Sequence, residues 1–229
     1  MNYELVIEDK SYMVPKRLTI RQFKELANWD IIIEDNWTKV LSIIMDIPYN
    51  EAKLIPHKTK ELGIVMVIDK IFPKNSPVDT KRFVGIKDVS TGLFVDMEVA
   101  LSNGLQKNVY DIIKLLYNVE PKDDEYIDEY YGGINYYLNW RLNIFNSYRK
   151  LFGLDDEFSK NDDELQEKID PAYNWYSFIM VLADEDFLKI NEVVKKPIIE
   201  ALNFLAYKKD KAEKEKQRFN ELQRNSRLN

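Results

Sequence analysis

The side chains best suited to chemistry are carboxylates gathered in two runs: Asp123, Asp124, Glu125, Asp128 and Glu129, then Asp155, Asp156, Glu157, Asp162, Asp163 and Glu164. Carboxylates at this density can ligate calcium or magnesium. Neither run carries the central glycine and loop spacing of a calcium hand, so both read as solvated connectors, and nothing singles out a catalytic pair. The single histidine, His57, lies in Pro56-His-Lys-Thr59, a polar helix start without a nucleophile motif, and reads as a surface or capping residue. The absence of cysteine removes disulfides, thiol catalysis and thiolate zinc sites. No glycine-rich phosphate loop occurs, which argues against nucleotide hydrolysis. The expectation is a chain with no catalytic residues, no cofactor and no metal.

Positioning such a chain requires a core, and the composition provides one. Hydrophobic residues make up 45% and charged residues 31% of the 229, an ordinary globular balance. Tyr 14, Phe 11 and Trp 4 stand against Gly 7, which favours large aromatic contacts in cores and interfaces. A net charge of −6 and a pI near 5.1 argue against general nucleic-acid binding. No apolar run approaches the roughly 18 residues that span a bilayer, and no N-terminal leader pattern is present, so a non-membrane protein is expected.

Local patterns place the elements. Tyr3–Glu8 and Ser11–Val14 predict a small hairpin, ended by Pro15. Thr19-Ile-Arg-Gln22 has capping-box spacing, and a short helix should follow with Ile20, Phe23 and Leu26 on one face. Asp35 or Asn36 can cap a second helix carrying Trp37, Val40, Leu41, Ile44 and Met45 until Pro48. A third apolar helix is expected over residues 59–72, and Pro73, Asn75, Ser76 and Pro77 mark a boundary. A second hairpin is expected around Phe83 to Val95.

Residues 90–121 repeat the arrangement of residues 18–48. Thr19, Phe23, Glu25 and Leu26 match Ser90, Phe94, Asp96 and Met97 at one offset. After one inserted residue, Trp37, Val40, Leu41, Ile43, Ile44, Asp46 and Ile47 match Val109, Ile112, Ile113, Leu115, Leu116, Asn118 and Val119. Two copies of a helix-loop-helix unit would account for this; any two amphipathic helices can also align so.

Gly132-Gly133 is expected to break the chain before a long aromatic helix, residues 134–152, which Gly153 ends with a left-handed cap. Tyr130 to Tyr148 could stack on single-stranded bases, but acidic flanks favour core or interface packing. Asp170-Pro171 opens a helix through Trp175, Phe178, Ile179 and Leu182. Pro197 opens the last, with Ile198, Ala201, Leu202 and Leu205 on one side. After Tyr207 the apolar stripe fades into a basic tail with only Phe219 and Leu222 to bury. The expected core includes Phe23, Leu26, Val40, Leu41, Ile44, Ile112, Ile113, Leu116, Trp140, Phe145, Trp175, Ile179, Leu202 and Leu205. Candidate partner contacts are Tyr136, Tyr137, Trp140, Tyr148, Tyr207, Lys208, Lys211, Lys214, Arg218, Phe219 and Leu222.

Three stretches carry a family resemblance: the hairpin leading into Leu18-Thr-Ile-Arg-Gln-Phe-Lys-Glu-Leu26, then Trp37-Thr-Lys-Val-Leu-Ser-Ile-Ile-Met-Asp-Ile-Pro48, then residues 188–211. Covering between a third and a half of the chain, these resemble the tail assembly chaperone proteins of tailed bacteriophages and related small virion-assembly proteins. Residues 132–167 have no counterpart, and the family supplies no functional residues. The resemblance implies a non-enzymatic phage morphogenesis protein, acting in the host cytoplasm as a chaperone of tail assembly or remaining in the virion as a neck, tail or baseplate subunit. Its partners would be other phage structural proteins, or itself as a ring or oligomer. The expected fold class is mainly α with a small β-hairpin and a long charged C-terminal helix. The expected segments are 1–73, 78–153, an acidic linker 154–169, and 170–229.

Overall fold

A computed structural model describes residues 3–7, 10–31, 33–71, 83, 86, 89–153 and 171–227. The fold is mainly helical with one N-terminal hairpin. Strands β1 (Tyr3–Ile7) and β2 (Lys10–Val14) pair antiparallel, with Tyr3 opposite Val14 and Ile7 opposite Lys10. Alternation along β2 leaves Met13 half-exposed and buries Val14 completely.

The helices follow as α1 (Ile20–Leu26), α2 (Trp37–Met45), α3 (Tyr49–Leu54), α4 (His57–Ile71), α5 (Thr91–Ser102), α6 (Val109–Tyr117) and α7 (Asp128–Ser147), then α8 (Pro171–Leu182), α9 (Ile190–Val193) and α10 (Ile198–Arg227). The capping box forms as its spacing requires: the Thr19 hydroxyl accepts from the Gln22 amide at 3.2 Å, and Gln22 Oε1 accepts from the Thr19 amide at 2.9 Å. Gln22 Nε2 then donates to the carbonyls of Ile43 and Ile44, so one side chain caps α1 and holds the end of α2. Asn36 stands before α2 without a side-chain cap, because a 3-10 turn at Glu34–Asn36 leads into the helix. Helix α3, for which Tyr-Asn-Glu-Ala-Lys-Leu gives no apolar period, follows Pro48 directly.

Several expectations are corrected. Residues 91–95 lie in α5, so there is no hairpin through them; most of residues 83–88 lie outside the described residues, as do the boundary at 73–77 and the acidic segment 155–167. Gly132-Gly133 does not break the chain, because α7 begins at Asp128 and runs through both. The reason lies at Gly133, whose amide donates to the Tyr117 hydroxyl at 2.9 Å while that hydroxyl donates to the Tyr130 carbonyl at 2.9 Å. A β-carbon there would meet the Phe83 ring at 2.7 Å, so glycine serves close approach within a helix rather than a turn. Gly153, at φ 71°, is left-handed, but it does not cap the helix as expected: α7 ends at Ser147 and Gly153 follows the turns of residues 148–152.

The chain forms two compact units interleaved along the sequence: residues 1–85 with 100–137, and residues 86–99 with 138–229. The sequence had placed its segments end to end. Two helices contribute to both units, α5 and α7.

In the first unit Phe23, Leu26, Val40, Leu41, Ile44, Ile112, Ile113 and Leu116 are buried together with Tyr130, Tyr131 and Ile134 of α7. The second unit is built around Phe94, fully buried, whose ring has Trp175 at 5.3 Å, Trp140 at 6.0 Å and Phe145 at 6.4 Å, the first two edge to face. Trp140, Phe145 and Trp175, expected in the core, are half-buried rather than enclosed, as large aromatic side chains often are.

Candidate protein-interaction surface

Each unit is closed by the same backbone clasp. In the first, Thr19 bridges Tyr126 antiparallel, the amides of Ile20 and Arg21 donate to the carbonyls of Glu125 and Asp123, and the Ile127 amide donates to Leu18. In the second, Ser90 bridges Pro197, the amides of Thr91 and Gly92 donate to Lys196 and Val194, and the Ile198 amide donates to Val89. Every member of the second set stands 71 positions after its counterpart in the first, Thr19 to Ser90 and Tyr126 to Pro197 alike.

The caps obey the same offset, the Ser90 hydroxyl accepting from the Leu93 amide at 3.2 Å as Thr19 does from Gln22. Buried side chains follow: Leu18 and Val89, Phe23 and Phe94, Leu26 and Met97, Ile127 and Ile198, Tyr131 and Leu202, Ile134 and Leu205. The first half of the sequence repeat, Thr19 to Leu26 against Ser90 to Met97, thus has a structural counterpart. The second half does not separate in the same way. Helices α2 and α6 both end in a left-handed residue, Asp46 at φ 52° and Asn118 at φ 51°, yet both lie in the first unit.

The first acidic run belongs to this clasp and is not a solvated linker. The Asp123 and Glu125 carbonyls receive α1, and their side chains bond the hydroxyls of Tyr110 and Tyr130. Asp128 and Glu129 take the Arg17 guanidinium, at 2.7 Å and 2.8 Å, while its plane lies 4.0 Å from the Tyr126 ring centre. Among the described residues no group of three acidic or histidine side chains could hold a metal ion. His57 is exposed, 3.3 Å from Glu34 and beside the Trp37 ring.

The second unit supports its clasp differently. Thr91, fully buried, donates its hydroxyl to the Lys196 carbonyl at 2.9 Å. Glu98, 4% exposed, receives Arg141 of α7 through two bonds of 2.5 Å and 2.6 Å, and Arg141 lies over the Phe145 ring. Desolvation holds the Glu98 carboxyl above the usual range, with Arg141 pulling the other way.

Of the expected partner contacts, Tyr137 is buried at 1% exposure, because it falls with Tyr130 and Ile134 on the core stripe of α7. Trp140 packs on Phe94, and the Tyr148 hydroxyl donates to Asn203 of α10 at 2.8 Å, so both are used within the unit. Lys208 reaches toward Asp184 at 3.6 Å and lies over the Phe204 ring. Tyr136, Tyr207, Lys211, Lys214, Arg218, Phe219 and Leu222 are exposed. Lys150 pairs with Asp210 at 2.6 Å and Glu213 at 2.7 Å, lowering the Asp210 carboxyl below its usual range.

The sequence reading missed the turn Phe187–Lys189, where Phe187 and Leu188 are 70% and 72% exposed. Two adjacent large apolar residues directly after the acidic stretch Asp184-Glu185-Asp186 were the available signal. It also missed a groove of about 330 Å³ in the second unit, lined by Leu182, Val193, Ala201 and Phe204 with two lysines and two glutamates alongside. No helix among the described residues is long and apolar enough to cross a membrane. Compared with known proteins, the chain matches no family model, no curated protein and no solved structure.

Proposed function

We propose that this chain is a non-enzymatic protein of bacteriophage morphogenesis that acts through protein–protein contacts in tail assembly. The observation carrying the contact half of the reading is the adjacent pair Phe187 and Leu188 in the second unit, 70% and 72% exposed. Two large apolar side chains exposed side by side suit a contact with another protein better than exposure to water. The resemblance of residues 18–26, 37–48 and 188–211 to tail assembly chaperones supports the morphogenesis half.

Quantitative mass spectrometry of purified particles tests the role. A chaperone is needed for tails to form and is absent from the mature particle. A stoichiometric amount in the particle instead establishes a permanent subunit of the neck, tail or baseplate. A phage lacking the gene that still makes complete tails would overturn both.

A further inference from the structure

We infer that the outer half of α10 is a docking helix, which lays Phe219 and Leu222 into an apolar groove with acidic rims on a partner protein. The inference rests on the reading of the chain as a protein-binding protein and names the chemistry of the partner. The stripe that packs α10 into its unit recurs at heptad spacing: Ile198 and Leu205 are buried, and Ala212 and Phe219 continue it in register, with Leu222 in the following turn. From Lys214 to Arg224 every side chain is exposed, Phe219 at 60% and Leu222 at 68%. Lysine or glutamate would hold a solvated helix better than phenylalanine does, so the pair answers to a surface outside the unit.

The charges say what that surface carries. Where α10 lies against its own unit its carboxylates are matched, Asp210 and Glu213 with Lys150. Further along, helical spacing sets Lys211 and Arg218 on one side of the apolar pair and Lys216 on the other. Among the described residues none of these three cations has an ion-pair partner. Glu215 is the one carboxylate on this face, so cations are in excess there. On the opposite face Glu213 and Glu221 balance Lys214 and Arg224, which confines the excess to the apolar side.

That pattern selects the occupant. Two copies of this face would set cations against cations, so it does not pair with itself. Nucleic acid offers phosphates but no apolar recess for Phe219 and Leu222, and Glu215 would face its backbone charge. A lipid surface rewards a broad apolar face, and two large side chains make a narrow one. A protein groove with an apolar floor and carboxylates along both rims meets the stripe and its flanks together, in the mode by which amphipathic helices dock.

The probe is a designed two-helix peptide with leucine on the groove floor and glutamate on both rims, beside a twin with lysine rims. Fluorescence anisotropy with the full chain should give a Kd of about 1 to 100 μM for the glutamate-rimmed peptide, and binding at least ~10-fold weaker for its twin. Phe219→Asp with Leu222→Asp should weaken the first by at least ~10-fold, as for the loss of apolar anchors. Lys211→Glu with Arg218→Glu should reverse the preference between the two peptides. All four side chains are exposed, so circular dichroism should be unchanged.

No binding of the glutamate-rimmed peptide overturns the inference, as does equal binding of both peptides or indifference to the aspartate variant. Tighter binding to phosphatidylserine vesicles or to oligothymidylate overturns it in favour of a lipid or nucleic-acid partner. Any of these leaves the proposed function standing if tail assembly still requires the gene. A helix that docks as described in a phage whose tails form without the gene overturns the function and leaves the docking.

Discussion

The two clasps are alike in backbone and unlike in side-chain chemistry. Leu18-Thr-Ile-Arg and Val89-Ser-Thr-Gly make the same amide-to-carbonyl pattern with Glu125-Tyr-Ile and Lys196-Pro-Ile. The first is held from outside by Arg17 against Asp128 and Glu129, each of the three over a third exposed, where such pairs contribute little. The second is backed by a buried hydroxyl and by Glu98 beneath Arg141, where an unpaired charge would be severely unfavourable. The difference teaches that backbone pairing tolerates wide divergence of the residues that make it, provided the cap and the inward apolar positions remain.

The largest expected effect comes from removing the cation of the second unit. Arg141→Met leaves Glu98 buried without its partner and should cost about 3 kcal/mol, measured by urea unfolding. The raised pKa of Glu98 sets the sign of the pH dependence. The folded state binds its proton more tightly than the unfolded state does. That contribution is present below the ordinary glutamate range and is lost as pH rises through the raised value. Glu98→Gln should remove this component of the stability–pH curve, and an unchanged curve would show that Glu98 does not feel its burial.

Next is the filled slot of the first unit. Gly133→Ala should destabilise by about 2 kcal/mol through overpacking against Phe83 and Tyr117, and Phe83→Ala in the same chain should recover part of the loss. Simple additivity of the two would break the argument that Gly133 makes room for that ring.

The clasps themselves are compared by Thr19→Ala and Ser90→Ala. Both caps have the same geometry, so each should cost about 1 kcal/mol. A large inequality would show that only one cap matters. Smallest is truncation after Glu213, which retains both Lys150 pairs and should shift unfolding by less than about 0.5 kcal/mol, since the residues removed are mostly exposed.

Sequence by itself determined the local elements. The Thr19–Gln22 capping box, the stripes of α2 and α6, and Pro171 and Pro197 at helix starts are decided by residues within one or two turns, and the chain folds accordingly. It also showed the offset between Thr19 and Ser90, since caps and inward apolar positions persist. Tertiary structure alone decided which long-range partners complete each clasp, since carbonyl pairing from Asp123, Glu125, Val194 and Lys196 leaves no mark on side-chain identity. Contacts far apart in sequence likewise decided that Gly133 lies inside a helix, that Tyr137 faces the core, and that the first acidic run is structural. The same holds for the groove beside Phe187, because an opening exists only where helices distant in sequence come together and leave space between them.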